Sequence, residues 1–447
     1  MPEMQTITLD PIVFNDRRAE FLLPDDYYDS ASMVLSNLGM FDPDITPALE
    51  NIINMYYPIT CGVAGVISKY TLLSGADEIE TLDHVSQWAT IKALNNPDTE
   101  LEDVYHNTLH SGWNFGINFS IYGDNPQQYP GMFNMTQTAC DYRTFIPYSE
   151  EYTVNGYQSR ISNKRYPPGS SGSFKVSMIS GFLQATPILP MIRNLRLVIE
   201  YDTNVNHYYS LAAGYLPFPA NIYPTFPMLI VKKFTNPPVM PAMIQIPYST
   251  VKCADGFFVP AIDIPDEGEV GLISRNTYQS YDFMGKVLKR LTVYNAQGDH
   301  NIGDVGVMIP KIKSIGQPNE VINFVINGEK YIPDNGIDSP AIKLQYLLNA
   351  HGNFSIPFLC AAYAMKGQVM PYGSSFGIEK LKSIVGNLSL TAIRVDALIS
   401  TAIQIEYSRQ PVSGIDDITA QALNILLFGE IAQVVTINTD GSITIES

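Results

Sequence analysis

The sequence predicts an all-β protein, and three observations support that fold class. The stretch Leu195–Tyr201 alternates apolar and polar residues, as a strand with one buried face does. Apolar runs flank Asn327-Gly328 and Asp440-Gly441, which are residue pairs typical of β-hairpin turns. The 31 glycines and 31 prolines are spread along the chain, as expected for turns between many short elements. These patterns favour a β-sandwich or a barrel.

Both predicted hairpins lie in the second half of the chain. The first follows an alternating apolar run and turns at Asn327-Gly328, because these residue types tolerate the positive φ angles of a type I′ turn. The second turns at Asp440-Gly441, close to the end of the sequence. Further alternating apolar residues that predict strands are Ile393, Val395, Ile403, Ile405, Tyr407, Val435, Ile437, Ile443 and Ile445.

Three helices are predicted as short insertions between strands. Residues 82–93 place apolar side chains on one face, and Asn96-Pro97 is expected to end that helix. Residues 98–110 have acidic residues in the first turn, where the helix dipole favours them. Residues 339–352 have Pro340 at the first helical position and a glycine at the end.

Composition predicts a protein that binds other protein surfaces. The chain has 447 residues and a formal net charge of −17, yet only 16% of its residues are charged and 11% are aromatic. So few charges cover a surface poorly, and large apolar patches usually mark partner sites, so we expect an oligomer. The negative charge and the lack of a Lys/Arg cluster argue against direct binding of nucleic acid.

The lack of a secretory signal pattern and the spacing of the cysteines predict a reducing compartment. The N-terminal residues have neither the basic flank nor the apolar core of a secretory signal, so synthesis in the cytoplasm is expected. The apolar runs at 357–365 and 424–435 are too short or too polar to span a bilayer. The cysteines form no CxxC pair and are predicted to be free thiols; they are Cys61, Cys140, Cys253 and Cys360.

No motif in the sequence assembles an active site. His106 and His110 have the i, i+4 spacing of a helical zinc pair but lack the glutamate and the third ligand of such sites. Residues 373–377 match GxSxG by letter, but a nucleophile elbow needs a parallel α/β sheet. The loop 167–172 lacks the lysine of a phosphate-binding loop.

The remaining polar motifs are interpreted as surface features. Four N-x-S/T sequons, at Asn118, Asn134, Asn353 and Asn387, are regarded as chance matches in a chain without a secretory signal. The acidic pairs are expected to be solvated loop charges; they are Asp25-Asp26, Asp77-Glu78, Asp266-Glu267 and Asp416-Asp417. The sequence therefore predicts no catalytic, cofactor-binding or metal-binding residue, and a protein that is not an enzyme.

Several segments, taken in order, resemble the double jelly-roll major capsid proteins of polinton-like viruses and virophages. The opening-strand pattern lies at 19–24 and 29–33, and an early-strand pattern at 62–80 is followed by the predicted helix 82–93. The segments similar to the close of the first roll are 181–183, 188–190 and 195–202. Those similar to the second roll are 321–328, 332–333, 336–337 and the hairpin at 440–441.

This resemblance implies a fold and a role. The expected fold is two tandem eight-stranded antiparallel jelly rolls, the first over 1–222 and the second over 223–447, with short helices in the connections. The implied function is a major capsid protein that forms homotrimeric, pseudo-hexagonal capsomers of an icosahedral virion shell. The implied partners are neighbouring capsomers, a penton protein and minor or cement proteins, without direct nucleic-acid binding, while an internal membrane stays an open question.

Two alternatives remain at this stage. A single jelly-roll capsid protein of picornavirus-like type is suggested by the segment 245–250, although one roll leaves about half of the length unexplained. A carbohydrate-binding or carbohydrate-hydrolysing β-sandwich is the alternative from another functional class. Scattered carboxylates and the missing secretory signal weigh against it.

Overall fold

The computed structural model describes residues 3–41, 54–55, 66–94, 132–134, 150–154, 157–161, 175–177, 180–203, 209–210, 222–237, 239–258, 279–297, 320–332, 336–338, 340–351, 369–371, 390–409 and 423–446. Nearly all regular structure in these ranges is β-strand, as the sequence predicts. The helices in these ranges are too short or too polar to cross a membrane.

The first half of the chain contributes seventeen strands and two helices within the described ranges. The strands are β1 (Met4–Leu9), β2 (Val13–Phe14), β3 (Arg18–Leu22), β4 (Tyr28–Ser36), β5 (Met40–Phe41), β6 (Asn54–Met55), β7 (Ile67–Ser74), β8 (Asp77–Asp83), β9 (Met132–Asn134), β10 (Glu150–Val154), β11 (Tyr157–Ile161), β12 (Lys175–Ser177), β13 (Ile188–Leu189), β14 (Leu195–Tyr201), β15 (Tyr209–Ser210), β16 (Tyr223–Pro224) and β17 (Met228–Phe234). The helices are α1 (Val85–Leu94) and α2 (Gly181–Ala185).

The second half adds ten strands and one helix within the described ranges. The strands are β18 (Met243–Phe258), β19 (Gln279–Tyr281), β20 (Val287–Gln297), β21 (Glu320–Ile326), β22 (Glu329–Lys330), β23 (Val369–Pro371), β24 (Leu390–Leu398), β25 (Ile403–Arg409), β26 (Leu423–Asn438) and β27 (Ile443–Glu446). The helix is α3 (Pro340–His351).

The main strands of the first half form a jelly roll. One sheet has the order β1-β17-β4, and β12 and β13 pair with the opposite edge of β4. The other sheet has the order β2-β3-β14-β7-β8. For the strand order, we count β12 and β13 as one strand and number the eight main strands in chain order. The two sheets then have the orders 1-8-3-6 and 2-7-4-5. The eight strands are β1, β3, β4, β7, β8, β12/β13, β14 and β17. These orders are those of an eight-stranded double Greek key, and we call this unit the first roll.

The second half repeats the same topology. Its sheets have the orders β18-β26-β20-β24 and β19-β25-β21-β22, with β27 added beside β26. Numbered in chain order, these eight strands again give 1-8-3-6 and 2-7-4-5. The chain therefore contains two tandem jelly rolls, as the sequence predicts, and the single-roll alternative is wrong. We call this unit the second roll.

The predicted division after residue 222 lies before strand β17. This strand pairs with all six residues of β1 and also with β4. It is the eighth strand of the first roll, and a division at 222 would remove it from the sheet that it completes. The strand pairing fits a boundary between Phe234 and Met243.

Each roll has its own apolar core between its two sheets. The first roll buries side chains from both sheets completely; they include Phe21, Leu35, Leu72, Leu197 and Leu229. The second roll buries a matching set that includes Leu288, Phe324, Ile393, Ile403 and Leu427. In the second core, the ring of Phe283 lies against Gly429, where a β-carbon would be only 2.4 Å from the ring.

The strand and hairpin predictions agree with the structure. Strand β14 buries Leu195, Leu197, Ile199 and Tyr201 on one side. Asn327 and Gly328 have φ angles of 53° and 84°, as a type I′ turn requires. The last hairpin is closed by Gly441, whose φ is 78°.

The helix predictions agree in position but not always in extent. Residue 82 and the residue after it still pair with β7, and helix α1 begins only at Val85, because His84 leaves the strand with a φ of 56°. The third predicted helix is α3, which begins at Pro340. The helix predicted over 98–110 lies outside the described residues.

Candidate functional site

The two rolls contact each other through both polar and apolar side chains. We call this contact the roll junction: β8, α1 and α2 of the first roll pack against β18 and β26 of the second. At its centre, Tyr248 of β18 is 4% exposed, and its hydroxyl donates a hydrogen bond of 2.6 Å to the carbonyl oxygen of Ile79. The Tyr248 ring packs edge-on against Phe182 of α2, with ring centroids 5.3 Å apart. The two rolls are thereby joined through buried groups.

A second aromatic contact extends the junction to helix α1. Trp88 lies 5.6 Å from Phe428 of β26, measured between ring centroids, and both side chains are buried. Aromatic side chains of this size bury large apolar areas and orient the surfaces that they join. Helix α1, predicted from sequence as an insertion between strands, thus packs against the other roll.

Gly181 allows helix α2 to approach the backbone of β18. A β-carbon at this position would lie 1.7 Å from the carbonyl oxygen of Ser249, which is far inside van der Waals contact. Any side chain at 181 would therefore have to push the helix away from the strand. Glycine here is explained by this close approach and not by its backbone conformation.

The last hairpin forms a third, more exposed contact between the rolls. The amide of Arg193 donates a hydrogen bond of 3.0 Å to the carbonyl of Gly441 in the turn between β26 and β27. The Arg193 guanidinium lies 3.7 Å from the carboxylate of Asp440, and both side chains are exposed. The Ser442 hydroxyl and amide, which donate to that carboxylate, hold the pKa of Asp440 below its usual value, with a smaller contribution from Arg193.

Glu80 is a fully buried carboxylate at the centre of the junction. The register between β7 and β8 shifts at Leu72/Leu73, so that Leu72 pairs with Glu80 and Leu73 with Glu78. Ile79 is the extra residue of this bulge, and both Ile79 and Glu80 are buried. The bulge therefore brings one carboxylate inside and makes the Ile79 carbonyl available to Tyr248.

The Glu80 carboxylate is held by donors from the start of helix α2. It accepts hydrogen bonds from the Ser180 hydroxyl, from the Gly181 amide at 2.9 Å and from the Phe182 amide at 3.3 Å. The Ser180 hydroxyl in turn accepts from the Leu183 amide at 3.1 Å, as a helix N-cap does. Glu80 thus fixes the helix that carries Phe182 against the second roll.

Burial dominates the protonation of this cluster. Burial raises the pKa of the Glu80 carboxyl, and the hydrogen bonds from Ser180 and the two amides oppose that shift only in part. Burial together with the nearby Glu80 carboxylate also raises the pKa of the Tyr70 and Tyr248 hydroxyls, so both remain neutral. Glu80 and Tyr248 are held by burial and by hydrogen bonds within and between the rolls, as in a structural anchor.

A second ionic cluster fixes helix α3 to the second roll. The guanidinium of Arg290 in β20 donates to the buried carboxylate of Glu430 at 2.6 Å and to the carbonyl of Ala350 at 3.1 Å. It also lies 3.1 Å from Nδ1 of His351. Arginine can only donate, so Nδ1 accepts and Nε2 carries the proton that is shared with Thr292 at 2.8 Å.

A cleft of about 760 Å³ opens beside the junction. The first roll contributes Gly181, Gln184 and Ala185, and the second contributes the larger share, including Lys289 and Glu446. The Lys289 ammonium donates to the Ser249 hydroxyl at 2.6 Å. The described lining residues thus give the cleft a polar wall that is contributed mainly by the second roll.

Most motifs considered in the sequence lie outside the described residues. These are His106, His110, residues 167–172 and 373–377, three of the four sequons, and Cys61, Cys140 and Cys360. Cys253 lies half-buried in β18 and forms no disulfide. Within the described ranges, no group of three or more His, Cys, Asp or Glu side chains could hold a metal ion.

One acidic pair has structural partners that the sequence did not suggest. Asp26 forms an ion pair with Lys233 of β17, and Asp25 accepts a hydrogen bond of 3.1 Å from the amide of Asn194. Asp25 is nevertheless exposed, as expected of a solvated loop charge, whereas Asp26 is partly buried beside Lys233. Both carboxylates hold their loop to other parts of the first roll.

Comparisons with known proteins identify the fold but no relative by sequence. No family model matches the chain, and no curated protein matches it. In solved structures, a chain of the Sputnik virophage cryo-EM structure matches with a TM-score of 0.57 at 11% identity, over 99% of this chain and 88% of that one. The mavirus major capsid protein matches with a TM-score of 0.49 at 11% identity, over 99% and 90% of the two chains.

A third match agrees with these two in length and identity. The Faustovirus major capsid protein has a TM-score of 0.49 at 8% identity, over 97% of this chain and 90% of that one. At such identities the likeness is one of fold. Together with the strand orders of the two rolls, the match to the Sputnik virophage chain establishes the double jelly-roll fold, which the sequence resemblance implied.

Proposed function

We propose that the chain is the major capsid protein of a virion shell and assembles as a homotrimeric, pseudo-hexagonal capsomer. One observation carries the proposal: two complete rolls of identical strand order are joined rigidly through a buried junction within one chain. Two rolls in each of three chains give six similar wedges, which suit a hexagonal lattice. The fold shared with a chain of the Sputnik virophage structure supports the same role.

The surface of the chain supports assembly rather than catalysis. Apolar side chains are exposed on both rolls, among them Ile12, Phe14, Phe226, Met284 and Leu398. Exposed apolar groups on a chain with only 16% charged residues favour large subunit interfaces. In this proposal the protein is a structural component of the virion and not an enzyme.

The proposed partners follow from the same properties. Trimers contact neighbouring capsomers through their outer edges, while penton and minor or cement proteins occupy the remaining lattice positions. The net charge of −17 disfavours direct contact with the packaged genome, because binding to phosphates needs clustered cations. Synthesis in the host cytoplasm precedes incorporation into the virion.

Sedimentation equilibrium of the purified chain tests this proposal. Three copies of the 49.6 kDa chain give about 149 kDa, and we expect this mass at micromolar concentration. Large apolar interfaces should keep the trimer intact in high salt, since they depend little on surface charge. A stable monomer under these conditions would contradict the proposal.

A further inference from the structure

We infer that the β1–β17 edge of the first roll binds the β22–α3 side of the second roll of a neighbouring copy. The inference rests on the proposed capsomer and names the two faces that join its subunits. It follows from a comparison of the two rolls, which share one strand order but differ in what covers their equivalent edges.

Within one chain, the roll junction shows which faces of two jelly rolls fit together. The first roll contributes its fifth strand, β8, and the helices that follow it, α1 and α2. The second roll contributes its first and eighth strands, β18 and β26, which receive Phe182 and Trp88. We call the first kind of surface the helix face and the second kind the edge face.

The edge face of the second roll is covered in its middle, whereas that of the first roll is open. In β18, Ile246, Tyr248 and Val251 are 4%, 4% and 7% exposed, although Met243 at the start of the strand is 56% exposed. In the equivalent strand β1, residues 4–6 and 8 are exposed and the other two are only partly buried. Met4 in this strand is a large apolar side chain with 41% exposure. The edge face of the first roll therefore has the same strand order as that of the second roll, but its residues remain exposed.

The helix face of the second roll is open in the same way. Both residues of its fifth strand, β22, are exposed, and Tyr331 directly after it is 37% exposed. On α3, Leu348 is 37% exposed, whereas Trp88 in the corresponding connection of the first roll is 2% exposed in the roll junction. Each chain thus has one unused edge face and one unused helix face.

A second copy of this chain fits both unused faces. An edge face and a helix face are different surfaces, so their contact is head-to-tail, and repeating it closes a ring when the rotation permits. One pair of opposite charges fits this contact: Lys232 is exposed on β17 and Glu329 is exposed on β22. The neighbouring Lys330 of β22 is already paired with Glu406 at 2.9 Å within the second roll. Three chains joined in this way form a ring of six rolls. Around this ring, the roll junction within a chain alternates with the proposed contact between two chains.

Two charge variants and their mixture test the assignment. The edge variant carries Met4→Arg and Thr6→Arg, and the helix variant carries Gln345→Arg and Leu348→Arg; all four residues are exposed, so each variant should fold. Each alone should associate at least ~30-fold more weakly than wild type and sediment as a monomer. Mixed in equal amounts, they should form a dimer of about 99 kDa, because one intact face of each kind remains.

Controls separate this inference from the proposed function. Val239→Arg places the same charge at a fully exposed site between the rolls and should leave the trimer intact, and unfolding curves check the fold of each variant. A monomeric wild type would overturn the proposed capsomer itself. A trimeric wild type with trimeric variants, or with no dimer in the mixture, would overturn only the assignment of the two faces.

Discussion

At the scale of single residues, Glu80 shows how one buried charge can organise the contact between two domains. Its carboxylate is out of contact with water but accepts hydrogen bonds from Ser180 and from the first amides of α2. A buried carboxylate is tolerated only when such donors replace its hydration. These donors do not fully offset the free energy of removing the carboxylate from water. The pKa of Glu80 is therefore raised, with burial as the main cause.

This raised pKa gives the junction a definite pH dependence. Because the folded protein binds the Glu80 proton more readily than the unfolded chain, folding is most favoured below the unfolded-state pKa. That contribution is lost as the pH rises through the folded-state pKa. Tyr70 and Tyr248, the other titratable groups at the site, have raised pKa values and stay neutral over this range.

Replacing Glu80→Gln should remove this component of the pH dependence. As the pH rises through the ordinary glutamate pKa of 4.5 towards the higher folded-state pKa, the free energy of unfolding of the wild type should fall relative to that of the variant. The fall is at most ~1.4 kcal/mol per pH unit for one proton. Urea unfolding at a series of pH values measures the difference. Glu78→Gln removes a charge from an exposed position of the same strand and controls for net charge. A constant or opposite difference would show that Glu80 is not held as described.

At the scale of elements, the sequence predicts individual strands better than their partners. The alternation in β14 and the turn at Asn327-Gly328 are local patterns, and both agree with the structure. The assignment of β17 to the first roll depends on its pairing with β1, more than 200 residues earlier in the chain. No local pattern specifies such a partner, which is why the division predicted after residue 222 takes no account of this pairing.

Local patterns also miss features that tertiary contacts determine. The apolar periodicity of helix α1 reaches back to residue 82, but pairing with β7 keeps that residue in a strand. Glu80 looks like an ordinary polar residue of an alternating strand, and only the bulge at Ile79 turns it inward. The only local signal was the number of acidic residues in β8, which does not show which of them is buried.

The close packing of α2 on β18 gives a prediction at this scale. Gly181→Ala should destabilise the protein by at least about 2 kcal/mol, because the new methyl group collides with the backbone of Ser249 and the helix cannot yield without losing the Phe182–Tyr248 contact. Thermal unfolding measures the loss. Gln184→Ala, at an exposed position of the same helix, should have little effect. Equal stability of both variants would mean that the helix does not approach the strand this closely.

At the scale of the whole molecule, duplication explains both the architecture and the composition. Two rolls with the same strand order are joined at one roll junction. In the proposed assembly, the edge face of the first roll and the helix face of the second roll then bind other copies. A chain with few charges and many aromatic residues is suited to hiding these faces in an assembly. The two exposed faces and the low charge are therefore both what the proposed assembly requires.

Negative-stain electron microscopy of the purified protein tests the central claim most directly. The account predicts class averages of a particle with a hexagonal outline and six lobes, two from each of three chains, since both rolls present similar wedges around one axis. Class averages that show only two-lobed particles, or rings with any other number of lobes, would contradict it.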